Sequence, residues 1–185
     1  GKRHSGRRNR SIASRSNFCY TGLQQPLWAE KECYQPMIRE MKPEDRATYL
    51  QMAHAFYNSE AVLHAVPEAV FVKSFEEMMK EGPYIRGYII EDQSRPAGYM
   101  ILSFTFSAEV GGLVVLVEEI YLDEGCRGKG LGSQALEFAR QSFPQAARLR
   151  LEVTEENQAA VRLYLRRGYK PLEYKQMVID LTGAE

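Results

Sequence analysis

Residues 127–132 read Arg-Gly-Lys-Gly-Leu-Gly, and their surroundings constrain the fold more tightly than any other stretch of the chain. Ahead of them lies an apolar run, residues 113–117, rich in β-branched side chains as a buried strand is. Behind them Leu131, Ala135, Leu136 and Ala139 recur at helical spacing. A strand therefore passes into a helix through a turn holding three glycines and two cations. Glycine allows a sharp turn and a close backbone approach. The helix start offers unpaired N–H groups and a partial positive charge, and Arg127 and Lys129 add full charge. Phosphate or pyrophosphate is the guest that suits such a turn, although the glycines alone serve an ordinary strand-to-helix turn equally well. The spacing is not that of a Walker loop, which needs Gly-Lys-Ser/Thr after a four-residue spacer. Nor is it a dinucleotide fingerprint, because no acidic residue ends a second strand at the expected distance.

A length of 185 residues suits one domain with a real core. No apolar run approaches membrane-spanning length, so no membrane partner is expected. Cys19, Cys33 and Cys126 form no CxxC and no metal pattern, and no metal is expected. So sparse and odd a set fits a reducing cytoplasm better than secretion. The net charge of zero conceals an asymmetry: residues 1–36 carry seven basic against two acidic side chains, a net +5, leaving −5 for the rest. That basic, Ser-rich start could touch nucleic acid or an anionic membrane, but such a tract is more commonly a solvated tail. Residues 1–36 are therefore expected to be a flexible extension, with residues 37–185 as the folded domain.

Periodicity and turn residues give an element order of β-α-α-β-β-β-α-β-α-β-β, a layered mixed α/β domain. A short first strand spans 37–41, and Lys42-Pro43-Glu44-Asp45 starts a helix. Pro67 opens a second helix whose buried face is Phe71, Phe75, Met78 and Met79. Strands follow at 84–91 and 97–107, ahead of the central strand and the glycine turn. The next helix runs to about Ser142, a strand covers 149–153, and the last helix runs from Asn157 to about Arg167. Residues 169–172 and 175–181 read as two closing strands.

The pattern Arg127-x-x-Gly130-x-Gly132 between a strand and a helix resembles the acetyl-CoA-binding loop of the GNAT superfamily of N-acetyltransferases. A second match follows in the right order: "ENQAAVRLYLRRGYKPL", residues 156–172, resembles that family's Asn, Leu-Tyr helix and Gly-Phe/Tyr signature. The resemblance covers roughly residues 37–181. It implies a sheet splayed between its fourth and fifth strands, with acetyl-CoA as cosubstrate in the gap. Many chains of the family begin as Met37 does here, so Met37 is expected to be the native start.

The resemblance also assigns roles. The pantetheine arm would pair with the backbone of Ile120, Tyr121 and Leu122, which could otherwise pair with a neighbouring strand. The pyrophosphate would rest on the N–H groups of Arg127, Gly128, Lys129, Gly130, Leu131, Gly132 and Ser133. Asn157 matches a residue that hydrogen-bonds the pantetheine; by itself it also reads as an N-cap. Tyr164 matches the tyrosine that protonates the departing thiolate, although its spacing alone suits a core tyrosine. Glu118 and Glu119, adjacent on an otherwise apolar strand, are expected on opposite sheet faces. Burying carboxylates there is costly without purpose or partner. Glu118 is the first candidate for the base that deprotonates the acceptor and Glu119 the second, one of them being a paired structural carboxylate. Cys126 is expected to be inert.

The function implied is transfer of acetyl from acetyl-CoA to a primary amine, on a small molecule or a peptide, by direct attack in a ternary complex. Residues 49–72 and 172–177 would shape the acceptor site, with Glu60, Glu68 and Glu173 as candidates to meet a cation and His54 and His64 nearby, although such residues are more commonly solvated surface groups. A catalytically silent acyl-CoA sensor is the alternative. A nucleic-acid-associated protein is the weakest reading, and a homodimer is common among such folds.

Overall fold

Alternating apolar side chains on the long strands decide the architecture. Along β2 (Ile85–Asp92), Tyr88 and Ile90 face one way and Ile89 the other. Along β3 (Arg95–Ser107), Met100 and Leu102 oppose Tyr99 and Ile101. With both sets buried, the sheet must be covered on both faces. A computed structural model describes residues 38–59, 62, 64, 66–80 and 82–181. The expectations placed on residues 1–36 lie outside the described residues.

Five strands, β1 (Ile38–Glu40), β2, β3, β4 (Gly112–Leu122) and β5 (Arg148–Leu151), form one sheet in that order. The first four pair antiparallel, and β5 joins β4 in parallel. One face is covered by α1 (Arg46–Tyr57) and α2 (Glu68–Met78), whose Tyr49, Met52, Ala53, Phe71, Phe75 and Met78 pack on Ile89, Tyr99 and Ile101. On the other face lie α3 (Leu131–Ser142) and α4 (Gln158–Arg166). There Leu131, Ala135, Leu136, Ala139 and Tyr164 meet Tyr88, Met100, Leu102, Val115 and Val117. No helix among the described residues is long and apolar enough to cross a membrane.

Arg39 ties the first strand down. Its guanidinium holds Asp45 in a fork, Nη1 to Oδ2 at 2.7 Å and Nη2 to Oδ1 at 2.9 Å, while Nε donates to Glu91 Oε1 at 2.7 Å. Asp45 and Glu91 are both buried. The Arg39 fork, with a backbone bond from Lys42, holds the Asp45 carboxyl below the usual carboxylate range although its burial opposes this. Arg39→Met would strand two buried carboxylates. Partial exposure of Arg39 tempers the loss to about 2–3 kcal/mol, which a urea melt would register.

The two closing strands expected at 169–172 and 175–181 are not formed; residues 169–180 have no regular secondary structure. Leu172, Tyr174, Met177, Val178, Ile179 and Leu181 are exposed. Three consecutive apolar residues at 177–179 lack the alternation that fixes register on a half-buried sheet. Along with this, β5 offers an outer edge only four residues long.

Candidate active site

β4 parts from β5 halfway along its length. Val114–Val117 pair with Arg148–Leu151, and there β5 stops. Residues 119–122 keep their β3 partners, from Ile101 opposite Glu119 to Gly98 opposite Leu122, but among the described residues no strand pairs with the other edge of 118–122. The splay expected between the fourth and fifth strands is therefore present. Side chains beside it divide between the faces: Ile120 and Leu122 pack into the α3/α4 core, while Tyr121 stacks on Tyr99 with ring centroids 5.8 Å apart.

At the same point β4 carries a bulge. Ile101 opposes Glu119 and Leu102 opposes Val117, so Glu118 is an extra residue in the ladder. This overturns the expectation that Glu118 and Glu119 face opposite sides, which assumed unbroken alternation. Both carboxylates lie on the α1/α2 face. Glu118 is exposed and its Oε1 accepts from Ser103 Oγ at 2.6 Å. Glu119 is drawn inward: Tyr57 Oη donates to Oε1, and Tyr99 Oη donates to Oε2 at 2.7 Å. Burial pushes the Glu119 carboxyl above the usual range, against the lowering effect of the two tyrosine bonds; the neighbouring Glu118 charge adds to the rise. The same burial, with Glu119 nearby, pushes the Tyr57 and Tyr99 phenols up, so both remain donors.

Neither Tyr57 nor Tyr99 carries a motif in the sequence. The signal was the choice of tyrosine over phenylalanine at buried positions facing an acidic strand, since a buried phenol needs a partner.

The glycine turn stands at the end of β4. Gly128 and Gly130 have φ of 76° and 88°, a region open to glycine and strained for other residues, and Gly130 caps α3. The first N–H groups of α3, on Leu131, Gly132 and Ser133, have no carbonyl a turn behind them. Both cations are engaged: Arg127 Nε donates to Leu122 O at 3.0 Å, and Lys129 Nζ meets Asp92 Oδ2 at 2.9 Å. An anion on this turn would meet backbone donors with the two cations beside them.

Asn157 is the N-cap of α4, its Oδ1 accepting from Ala160 N at 3.2 Å. Tyr164 is buried on the α3/α4 side of the sheet, its ring 6.0 Å from that of Tyr169. Burial raises its phenol above the ordinary tyrosine range, and Tyr169 adds to the effect. Glu119 and Tyr164 thus lie on opposite faces, with the opening between β4 and β5 at the sheet level between them. Of the other acceptor-side candidates, His54, His64, Glu68 and Glu173 are exposed, and Glu60 lies outside the described residues. Cys126 is half-buried against the α3/α4 core.

A groove of about 1270 Å³ runs along β5 between Thr105 and Val114 on one side and Val161 and Tyr164 on the other. It does not include residues 118–122. A cleft of about 310 Å³ lies between α1 and the end of β4, lined by Thr48, Gln51, Tyr121 and Asp123 among others. Neither concavity includes Glu119, which the bulge places beside the open edge of β4.

Comparison with curated protein sequences finds no match. Among solved structures, a possible acetyltransferase from Clostridium difficile 630 is similar, with a TM-score of 0.69 at 15% identity, covering 80% of this chain and 99% of that one. AAC(6')-Iy, solved in complex with the bisubstrate analogue CoA-S-monomethyl-acetylneamine, matches with a TM-score of 0.66 at 14% identity, covering 80% and 100%. Glucosamine-6-phosphate N-acetyltransferase from Arabidopsis thaliana gives 0.59 at 19% identity, covering 80% and 100%. At these identities the likeness is one of fold. The acetyltransferase (GNAT) family model matches residues 37–169, from the first strand through α4, and on that extent this chain belongs to the GNAT acetyltransferases.

Proposed function

We propose that the chain transfers acetyl from acetyl-CoA to a primary amine, by direct attack of the amine on the thioester in a ternary complex. The observation that carries this reading is Glu119. It is a carboxylate held by two phenols on a bulged strand, immediately before an edge that has no partner strand among the described residues. A cationic acceptor must lose a proton before it attacks, and a carboxylate with a raised pKa is matched to that task at neutral pH. Glu119, rather than Glu118, is the base in this reading, because Glu118 is exposed and tied to Ser103.

The unpaired edge at Ile120, Tyr121 and Leu122 suits the extended pantetheine arm, and its N–H groups can polarise the thioester carbonyl. The backbone of the glycine turn and the start of α3 would hold the pyrophosphate. Asn157, with its oxygen engaged in capping, would turn its amide NH₂ to the pantetheine. Tyr164, kept protonated by burial, would give its proton to the departing thiolate. The fold shared with AAC(6')-Iy, which was solved with a CoA-linked amine analogue, supports a CoA thioester and an amine as the substrate pair. A cytoplasmic setting, inferred from the sparse cysteines, completes the reading.

The test is release of CoA thiol from acetyl-CoA with pooled polyamines, amino acids, aminoglycosides and lysine-containing peptides. Release above the hydrolysis background is expected, and dividing the pool names the acceptor class. Calorimetric binding of acetyl-CoA with no release would count for the silent sensor. For Tyr164→Phe, kcat is expected to fall by about 10²-fold with little change in acetyl-CoA affinity. Unchanged turnover when chemistry is rate-limiting would remove Tyr164 from the mechanism.

A further inference from the structure

Behind Glu119 lies a third tyrosine whose hydroxyl has no evident task. Tyr49, on α1, is fully buried. Its ring stacks on Phe75 at 5.7 Å and meets the Tyr99 ring edge-on at 5.2 Å. Its Oη has no hydrogen-bond partner among the described residues. A phenol in a close-packed core leaves such a group unpaired only at a cost, and phenylalanine would fill the same space without it.

The surroundings identify what the hydroxyl serves. Tyr57 and Tyr99 each donate to one oxygen of Glu119, so each oxygen retains a lone pair and each phenol oxygen can still accept. Burial pushes the Tyr49 phenol up, and the charge of Glu119 adds to that push. The titratable groups facing Glu119 are Tyr49 and Tyr57 from α1, Tyr99 from β3 and Glu118 from β4, with Tyr121 beyond Tyr99. α2 turns only Phe71, Phe75 and Met78 toward this core. Among the described residues no basic side chain forms an ion pair with Glu119. Tyrosine hydroxyls are therefore what stabilises its charge. A water shared by Tyr49 Oη and a free lone pair of Glu119 would satisfy the hydroxyl that otherwise has no partner.

We propose that Tyr49 is a positioning residue for Glu119, its hydroxyl supplying the carboxylate with a third hydrogen bond through one buried water. This rests on Glu119 being the base. Hydrogen bonds to the ionised form favour it, so loss of the Tyr49 hydroxyl moves the Glu119 titration to higher pH, by roughly half a unit to one unit. A hydroxyl that merely fills space would leave the titration where it is.

The experiment titrates the protonated-carboxyl infrared band of the free enzyme in the wild type, Tyr49→Phe and Glu119→Gln. The band absent from Glu119→Gln belongs to Glu119. Its midpoint in Tyr49→Phe is expected above that of the wild type; a midpoint that is unchanged or lower overturns the proposal. Turnover of Glu119→Gln with the reactive amine of the pool tests the underlying reading separately. If that variant remains fully active, Glu119 is not the base, whereas an inactive Glu119→Gln with an unmoved Tyr49→Phe midpoint removes only the role of Tyr49.

Discussion

Glu119→Gln is expected to lower kcat by 10²- to about 10⁴-fold at neutral pH, the range over which a positioned general base contributes. Glutamine keeps the shape and can still accept from one tyrosine, but it cannot take a proton from an ammonium. The same change should stabilise the fold. Burial raises the folded pKa of Glu119, so the folded state holds a proton that the unfolded chain has already released. Wild-type stability attributable to this group therefore falls as pH rises from the ordinary carboxylate value to the folded pKa, and stays low above it. Thermal melts should show Glu119→Gln gaining on the wild type across that window. A variant that is inactive and also less stable at pH 8 would mean that the two tyrosine bonds outweigh the cost of burying the charge. The acidic limb of the wild-type kcat/KM profile should lie above the ordinary glutamate range, since the base works only when ionised. Glu118→Gln, at the exposed bulge position, is the natural comparison.

Gly98→Ala should have the largest structural effect of any single methyl group beside the site. A Cβ at Gly98 would lie 2.1 Å from Tyr121 O, 2.8 Å from Leu122 Cδ2 and 3.1 Å from Leu122 Cα. Two of those three atoms are backbone, so no rotamer change relieves the clash, and β3 must move away from β4. Overpacking of this kind costs about 1–3 kcal/mol and occasionally more, and here a value of about 3 kcal/mol is expected. In a chain of this size that lowers Tm by roughly 6–12 °C. The displaced atoms are those of Tyr121 and Leu122, on the edge proposed to hold the pantetheine, so acetyl-CoA affinity should weaken together with stability. Gly125→Ala, where a Cβ meets nothing within 4 Å, serves as the silent control. A wild-type melt and wild-type calorimetry for Gly98→Ala would show that β3 and β4 separate there without penalty.

Local pattern carried most of the fold. The apolar run before Arg127, the glycine spacing and the helical recurrence of Leu131, Ala135 and Leu136 depend only on neighbours in sequence, and those elements stand where expected. The capping role of Asn157 was equally local. The closing strands were not secured by local pattern, because β pairing needs a distant edge and residues 177–179 show no alternation to select a face.

The residue types of the site are legible along the chain: two adjacent carboxylates on an apolar strand, a glycine turn before a helix and a tyrosine on the last helix. Their arrangement depends on packing between distant elements. A bulge is a mismatch between two strands, so nothing within β4 alone announces that Glu118 and Glu119 share a face. The partners of Glu119 come from 62 and 20 residues away, brought together by the packing of α1 on β3 and β4. Which carboxylate is exposed and which is buried among phenols is a property of that packing, since burial depends on what the rest of the chain lays over a residue.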